Sequence, residues 1–424
     1  MNYDLRYSLI YGSLTRLITL VNQVVAVPLV IYIIGIDEFT DLNLLTAGVA
    51  WIFSLGGTLL PSLVGDITRA YHDAEIGEIK KIIFNSICCL ILFTVCATLI
   101  FLVFFNGSFS DGLLLVFIIS ICNLIFSISD NIRIGLHQNY ISNIYNGFSN
   151  LISLSLILLC YFFEIRIGLI EVIYITLGVP MLSKVLNFIS LYKYISMNLK
   201  YFDIAYQLTL IKKALGFIFI TASYFLNTSG LIIIIGKYQS SILDEFIILQ
   251  RFSLILMGVV VMVRNPLWSL ISKEIHVGNK TSVYSMFKRF LKGYMYISPI
   301  ALILSSILIS KVIYYWSSHE IHINNKTALI FSIYMIVQGF SFINSVMYYG
   351  MELFNKIAKL LIFECIANIL IIILLSRHFL GYEFVLDVGG FFMIMIITSL
   401  FVNVMIFNII KGSVLGVKKH IEYS

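Results

Sequence analysis

The sequence predicts an all-α integral membrane protein with about twelve transmembrane helices, arranged as two six-helix lobes. The residues are 60% hydrophobic and only 12% charged, with a mean hydropathy of +0.98. Apolar stretches long enough to cross the hydrocarbon layer, at about 20 residues each, recur along the whole chain. A soluble domain carries roughly 25% charged residues. The composition therefore excludes a soluble fold.

Six apolar spans fill the first half of the chain and six fill the second half. The first six are Ser8 to Ile34, Leu42 to Val64, Ile82 to Phe105, Gly112 to Ser129, Ile144 to Phe163 and Ile167 to Ile189. A polar stretch follows. The second six are Ala214 to Ile235, Phe246 to Leu267, Gly293 to Ile313, Ala328 to Tyr349, Leu360 to Leu375 and Val388 to Ile410. We therefore expect an N-terminal lobe over residues 1–200 and a C-terminal lobe over residues 201–424.

The basic residues predict the orientation of these spans. Nineteen Lys and Arg residues lie in the connectors on one side, and five lie on the other: Arg166, Lys237, Lys311, Lys326 and Arg377. Because cytoplasmic connectors carry the excess of Lys and Arg, both termini are expected in the cytoplasm. The net charge of +6 then reflects loops that face anionic headgroups, so nucleic-acid binding need not be invoked.

The two halves share a weak sequence repeat. Ile33-Ile34-Gly35 is followed by Asp37-Glu38-Phe39, and Ile234-Ile235-Gly236 is followed by Asp244-Glu245-Phe246. The next span carries a proline near its basic end in both halves, Pro61 and Pro266. An even number of spans per half makes the repeats parallel, and such pairs of bundles enclose a central cavity and rock between inward-open and outward-open states.

Small and polar residues follow one side of the first helix at spacings of three and four. These residues are Gly12, Thr15, Arg16, Thr19, Gln23 and Ala26. Such a stripe is typical of close helix packing through small residues. A stripe that also carries an ionisable side chain equally indicates the wall of a water-filled lumen. Both interpretations stay open from the sequence alone.

Several short motifs resemble those of O-antigen and exopolysaccharide flippases in the multidrug, oligosaccharidyl-lipid and polysaccharide exporter (MOP) superfamily. They are Gly12-Ser13-Leu14-Thr15-Arg16, Val27-Pro28-Leu29, Ile34-Gly35 before an acidic turn, Pro61-Ser62-Leu63, Arg69-Ala70-Tyr71, Glu75 to Lys81, and Gly135 to Tyr140. The resemblance implies alternating-access passage of an undecaprenyl-diphosphate-linked oligosaccharide from the cytoplasmic to the periplasmic leaflet of a bacterial inner membrane. It also implies a cationic cavity, membrane lipids as partners, and a polysaccharide polymerase and a chain-length regulator as candidate partners.

The related lipid II flippases differ from this chain at two places. They resemble it at Thr15-Arg16, but they carry a second arginine where Asn22 stands here. They also use a thirteenth and a fourteenth helix as a lipid groove, and this chain has neither among its predicted spans. These departures argue against lipid II as the cargo.

Four cations lie inside the predicted spans, and they are the candidates for holding the diphosphate. An arginine fork suits phosphate oxygens, and an intramembrane charge usually signals function. Arg16 lies eight residues into the first span, which is ~12 Å at the helical rise, and Thr19 and Gln23 share its stripe. Arg251 is the second candidate. Lys184 and Arg264 lie near span ends, where anchoring at the interface is the usual explanation. The side chains of Arg16 and Arg251 could also extend to the interface instead of lining a cavity.

Three acids near or inside the spans are candidates for binding a coupling cation, either H⁺ or Na⁺. They are Asp66, Asp130 and Glu364. Each could instead be an end cap or a salt-bridge partner, and Asp130 stands three residues before Arg133, a spacing that predicts an ordinary helical ion pair.

No cofactor or metal site is expected. His319 and His322 lack a nearby cysteine or well-placed acid, and the six cysteines lie in apolar spans as packing residues. No phosphate-binding glycine loop or exposed nucleophile motif points to an enzyme. Two alternatives remain: a cation-coupled multidrug exporter of the same superfamily, whose lumen should be acidic, and a membrane polymerase or ligase of the sugar pathway, which should have a large periplasmic loop.

Overall fold

The computed structural model describes residues 3–105, 110–196, 198–276, 279–351, 353–376 and 387–415. Every regular element in these ranges is a helix. The helices cluster into two units, Met1–Phe225 (unit 1) and Leu226–Ser424 (unit 2). The division expected at residue 200 stays a prediction, while the clustering shows that the helix after residue 203 packs with unit 1.

The described part of unit 1 contains nine α-helices. Helix α1 spans Tyr3–Gly56, α2 Leu59–His72, α3 Ile76–Phe105, α4 Asp111–Phe126, α5 Ile128–Gly135, α6 Asn139–Phe162, α7 Leu169–Ile173, α8 Val179–Ile189 and α9 Ile204–Phe225. A π-helical turn, Tyr174–Gly178, joins α7 to α8, and a short 3₁₀ turn, Leu199–Tyr201, precedes α9.

Six further α-helices lie in the described part of unit 2. Helix α10 spans Leu231–Tyr238, α11 Leu243–His276, α12 Lys280–Trp316, α13 Asn325–Gly350, α14 Phe354–Ser376 and α15 Val388–Leu415. A second π-helical turn, Leu226–Gly230, leads into α10. Buried aromatic rings of Phe246, Phe331, Tyr334 and Phe392 join α11, α13 and α15 at one end of this unit.

All twelve predicted spans have a helical counterpart, so the predicted fold class is confirmed. Nine helices in the described part of the chain are long and apolar enough to cross a membrane. The first of these, Ile10–Ile52, covers the first predicted span and the beginning of the second, which continues into α2. The two spans are separated by a kink in α1 at Gly35, where φ is 84°. The seventh and eighth spans lie in α9–α10 and in α11, outside those nine.

Each π-helical turn has a backbone carbonyl that accepts a hydrogen bond from a side chain of a neighbouring helix. In unit 1 the hydroxyl of Ser153 donates to the carbonyl of Ile175 at 2.8 Å. In unit 2 the amide of Gln250 donates to the carbonyl of Thr228 at 3.1 Å. Because an unpaired carbonyl is costly in hydrocarbon, these polar contacts permit the irregular turns inside apolar helices.

Candidate functional site

Helices α1 and α6 meet along a polar seam formed by Thr15, Thr19, Asn22, Asn143 and Asn150. The hydroxyl of Thr15 donates to the carbonyl of Asn143 at 2.6 Å. The amide of Asn150 donates to the hydroxyl of Thr19 at 2.8 Å, and the amide of Asn22 donates to Asn150 Oδ1 at 3.3 Å. Thr19, one of the predicted substrate ligands, thus has its hydroxyl engaged by α6. This half of the α1 stripe packs helices.

Arg16 and Gln23 lie on a different face of α1. Arg16, Leu20 and Gln23 follow one another at spacings of four and three, so they share a face that adjoins the seam. Arg16 is half-buried and Gln23 is exposed, and neither makes a hydrogen bond or ion pair within the described ranges. The large exposed side chains Leu14, Leu17 and Val21 occupy a third face. Arg16 therefore has its donors available.

Lys184 on α8 and Asp130 on α5 belong to one polar cluster in unit 1. The carboxylate of Asp130 accepts from the hydroxyl of Ser142 and from the amide of Asn187, the latter at 3.2 Å. Lys184, three residues before Asn187 on α8, lies close enough to Asp130 to interact with it electrostatically. Within the described ranges, Lys184 forms neither a salt bridge nor a hydrogen bond.

The ion pair predicted between Asp130 and Arg133 is wrong. Buried Arg133 donates instead to Gln138 Oε1 at 2.5 Å, to Ser190 Oγ at 2.6 Å and to Asn187 Oδ1 at 3.3 Å. The side chain of Asn187 lies between the acid and the base, since its oxygen accepts from Arg133 while its nitrogen donates to Asp130. Contacts with Asn187 of α8 have replaced the local pairing within α5.

Asp66, in the middle of α2, is engaged in a salt bridge. Its carboxylate accepts from the ammonium of Lys213 at 2.8 Å and from the hydroxyl of Tyr206 at 3.0 Å, both on α9. Burial and the adjacent Asp66 carboxylate raise the pKa of Tyr206. This geometry fits the salt-bridge alternative for Asp66, and its role in ion coupling stays a prediction.

The interior of unit 2 holds a polar core around Glu364. Glu364 is 7% exposed, and its carboxyl accepts from the hydroxyl of Ser399. One turn along α14, Asn368 donates to Asn227 Oδ1 in the π-helical turn at 3.0 Å and accepts from Thr398. A single carboxyl in an otherwise uncharged polar set can take up or release a proton, or contribute oxygen ligands to a cation.

The same core continues toward α13. The amide of Asn403 donates to Ser341 Oγ at 2.6 Å, and the amide of Asn344 donates to Asn403 Oδ1 at 3.0 Å. The side-chain oxygen of Asn344 is fully buried and accepts no hydrogen bond from any residue in the described ranges. Sequence reasoning found Glu364 but missed Asn368, Ser399 and Asn403. The spacing of four in Glu364/Asn368 and Ser399/Asn403 was the available signal.

The second pair of predicted cations lies on α11. Arg251 is half-buried and follows Gln250, the buried side chain that donates to the Thr228 carbonyl. The side chain of Arg264 lies outside those that the structure describes. For metals, no group of three or more His, Cys, Asp or Glu side chains in the described part of the chain could hold an ion.

Comparison with known proteins identifies the fold. No protein-family profile matches the sequence, and no curated protein sequence matches it. The inward-facing conformation of a multidrug resistance MATE family transporter of the MOP superfamily matches with a TM-score of 0.67 at 13% identity, over 97% of this chain and 99% of that chain. Its outward-facing conformation matches with a TM-score of 0.61 at 11% identity, over 97% and 94%.

A third solved structure is a MOP superfamily transporter from Pyrococcus furiosus, described as having a binding pocket of reverse polarity that suggests a different function. It matches with a TM-score of 0.59 at 12% identity, over 98% of this chain and 94% of that chain. These neighbours are transporters, and their likeness shows that this chain has the twelve-helix, two-lobe fold of MOP superfamily transporters.

Proposed function

We propose that this protein is a flippase that moves an undecaprenyl-diphosphate-linked oligosaccharide between the leaflets of a bacterial inner membrane. The observation that carries the proposal is the half-buried Arg16, whose guanidinium has no partner within the described ranges although it lies in an apolar span. An unpaired charge at the bilayer centre costs ~2.5 to 3.5 kcal/mol on insertion scales. A diphosphate that binds during transport would offset that cost.

The charge balance of the unit 1 spans supports an anionic cargo. Arg16 and Lys184 are the cations in the unit 1 spans, and neither forms a salt bridge within the described ranges. Asp130, an acid that interacts electrostatically with Lys184, is already hydrogen-bonded by Ser142 and Asn187. The polar seam fixes the rotation of α1, so that Arg16 and Gln23 lie on the adjoining face, outside the seam. Arg251, Arg264, Gln23 and Thr19 remain proposed ligands of the diphosphate and the sugar.

The proposed orientation places the connectors with nineteen basic residues, and both termini, in the cytoplasm. The positive-inside bias supports this orientation. The cargo would then enter from the cytoplasmic leaflet and leave to the periplasmic leaflet. Proteins of this fold have been solved in inward-facing and outward-facing conformations, which supports alternating access as the transport cycle.

The experiment that tests the proposal replaces Arg16 and measures surface polysaccharide in a strain that lacks the native gene. Arg16→Ala should abolish export at normal protein level, while Arg16→Lys should retain part of it, because lysine keeps the charge but loses the bidentate fork. The matched control is Arg166→Ala, which removes an exposed connector arginine and should leave export unchanged. Normal polysaccharide in the Arg16→Ala strain would remove Arg16 from the site.

A cation-coupled multidrug exporter is the second candidate function. The buried carboxyl of Glu364 favours it, since an acid inside the bundle suits an organic cation as well as a coupling ion. The MATE family names of the solved neighbours also favour it. Efflux of a fluorescent organic cation that depends on Glu364 and is indifferent to Arg16 would support this candidate over the flippase.

A further inference from the structure

The segment between α8 and α9 has one face that is held by the protein and one face that is bare. Its bare face carries large apolar side chains: Tyr192 is 68% exposed, Leu199 80%, Phe202 50%, Ile204 61% and Leu208 55%. Exposure of this size in consecutive turns is unusual where water is the only neighbour. Something apolar is expected to cover these residues.

The held face is fixed by a set of contacts that we call the linker clasp, formed by Lys81 and Asn85 of α3 with residues 201–207. Fully buried Asn85 donates to the carbonyl of Tyr201 at 2.7 Å and accepts from the backbone amide of Asp203 at 2.8 Å. The side chain of Gln207 donates to Asn85 Oδ1 at 3.2 Å, and Lys81 forms a salt bridge with Asp203 at 2.8 Å.

The first turns of α9 have a buried side and an exposed side. Leu210 and Ala214, at a spacing of four, are buried, whereas Ile204, Leu208 and Ile211, at spacings of four and three, share an exposed side of the helix. Because the clasp holds the start of α9 against α3, the orientation of these exposed side chains is fixed as well.

The bare face is continuous with apolar strips on both neighbouring helices. On α8, Leu182, Leu186 and Ile189 are each more than half exposed and run directly into Tyr192. On α9, the strip that begins at Ile204 continues to Phe219, which is 54% exposed. Exposed apolar strips on membrane-spanning helices contact lipid. The segment between two such strips therefore lies at the edge of the same lipid phase.

The charges of the segment identify the chemistry of that edge. Lys193, Lys200 and Lys212 are exposed, and within the described ranges none has a salt-bridge partner. The sole acid of the segment, Asp203, is neutralised by Lys81. The ammonium of Lys200 lies 4.9 Å from the ring centroid of Tyr201. Lysines interleaved with tyrosine, phenylalanine and leucine are typical of elements that lie in the plane of an anionic headgroup layer.

We infer that the segment Tyr192–Lys212 is an interfacial element that binds the surface of an anionic bilayer, with its apolar side chains in the headgroup region and its lysines on the acidic headgroups. The inference rests on the proposed orientation only for the leaflet, which would be the cytoplasmic one. A second copy of this chain or a protein partner is the competing occupant, and the experiment below separates these from lipid.

The experiment places a reporter on the bare face of the full-length chain. Phe202→Trp protein is reconstituted in phosphatidylethanolamine vesicles with and without phosphatidylglycerol, and the fluorescence of the native chain, with its three Trp residues, is subtracted. The introduced indole should emit at shorter wavelength with phosphatidylglycerol present. It should be quenched more by lipids brominated near the headgroup than by lipids brominated near the chain ends.

The charge part of the inference is tested in the same reporter protein. Replacing Lys193, Lys200 and Lys212 with Gln should remove the phosphatidylglycerol-dependent shift. The matched control, with Gln at Lys237, Lys311 and Lys326, makes the same charge change on exposed lysines of the opposite side and should retain it. In the control, raising the salt from 0.1 M to 1 M should weaken the shift, because the Debye length falls from about 10 Å to about 3 Å.

Three results would overturn the inference. The introduced indole could emit as in water and resist quenching by either brominated lipid. The shift could survive unchanged in the Lys193, Lys200 and Lys212 variant. Protection of the indole could instead scale with the protein-to-lipid ratio, which would assign the face to a second copy. The readout needs no transport, so its failure is independent of any failure of the proposed flippase.

Discussion

The side-chain amide of Asn187 donates a hydrogen bond to the carboxylate of Asp130 at 3.2 Å. The oxygen of the same amide accepts from Arg133 Nε at 3.3 Å. One uncharged residue of α8 thus connects an acid and a base of α5. It orients both charged groups inside unit 1.

Replacing Asn187 should therefore destabilise unit 1 more than its size suggests. Asn187→Leu fills a similar volume but removes a hydrogen-bond partner from both Asp130 and Arg133. We expect a loss of about 1–3 kcal/mol in the free energy of unfolding, measured by thermal unfolding in detergent. Asn325→Ala, at an exposed position, is the control and should change stability by no more than about 0.5 kcal/mol. Equal midpoints for the two variants would contradict the bridging role.

Gly135 at the α2–α5 contact and Gly65 on an open side of α2 should respond in opposite directions to the same substitution. A Cβ on Gly135 would lie 2.6 Å from Ile67 Cγ2 and 3.2 Å from the carbonyl oxygen of Val64. Overpacking of this kind costs about 1–3 kcal/mol, so Gly135→Ala should lower the unfolding temperature. A Cβ on Gly65 meets nothing within 4 Å. Gly65→Ala should raise stability by about 0.5–1 kcal/mol, because it removes backbone entropy within a helix. If Gly135→Ala unfolds at the same temperature as the native chain, α2 and α5 can move apart to accommodate the added methyl group at no cost in stability.

The Lys81–Asp203 pair predicts the pH range in which the linker clasp is intact. Hydrogen bonding to Lys81 lowers the pKa of Asp203 below its ordinary 3.8, and hydrogen bonding to Asp203 raises the pKa of Lys81 above 10.5. The contribution of Asp203 is fully present above pH 3.8 and is lost as the pH falls through its lower folded value. The contribution of Lys81 is lost as the pH rises through its higher folded value.

The measurement for this prediction is the difference in unfolding temperature between the native chain and Asp203→Asn across a pH series. The difference should be constant near neutrality and shrink at both extremes. Glu320→Gln removes an exposed carboxylate outside the clasp, so its unfolding temperature should stay close to that of the native chain at every pH. A difference that persists unchanged at strongly acidic pH would mean that Asp203 acts through shape and not through charge.

Glu364 provides the test that separates ion coupling from structural burial. Glu364→Gln keeps a group that can accept from Ser399, so the fold should survive. If the carboxyl carries the coupling ion, transport in the variant should lose its response to an imposed proton or sodium gradient. Glu320→Gln should keep that response. A variant whose transport follows the gradient as before would remove Glu364 from the coupling site.

The transmembrane layout could be predicted because its signals are local. Apolar length, the basic connectors and the break near Gly35 are properties of consecutive residues, and α1 to α15 follow them. The stripe on α1 was also visible, yet the sequence left packing and lumen open. In the structure, Thr15 and Thr19 contact Asn143 and Asn150 of α6. Arg16 lies on the adjoining face of α1, outside these contacts.

The sequence by itself determined that this chain crosses a membrane about twelve times and which residues are charged within the crossings. The tertiary structure decided which of those residues have partners, such as Asn187 between Asp130 and Arg133, and Asn85 in the clasp. The physical reason is the sequence distance over which each interaction acts. Transfer into lipid depends on each segment alone, whereas a hydrogen bond between α5 and α8 depends on how separate helices meet.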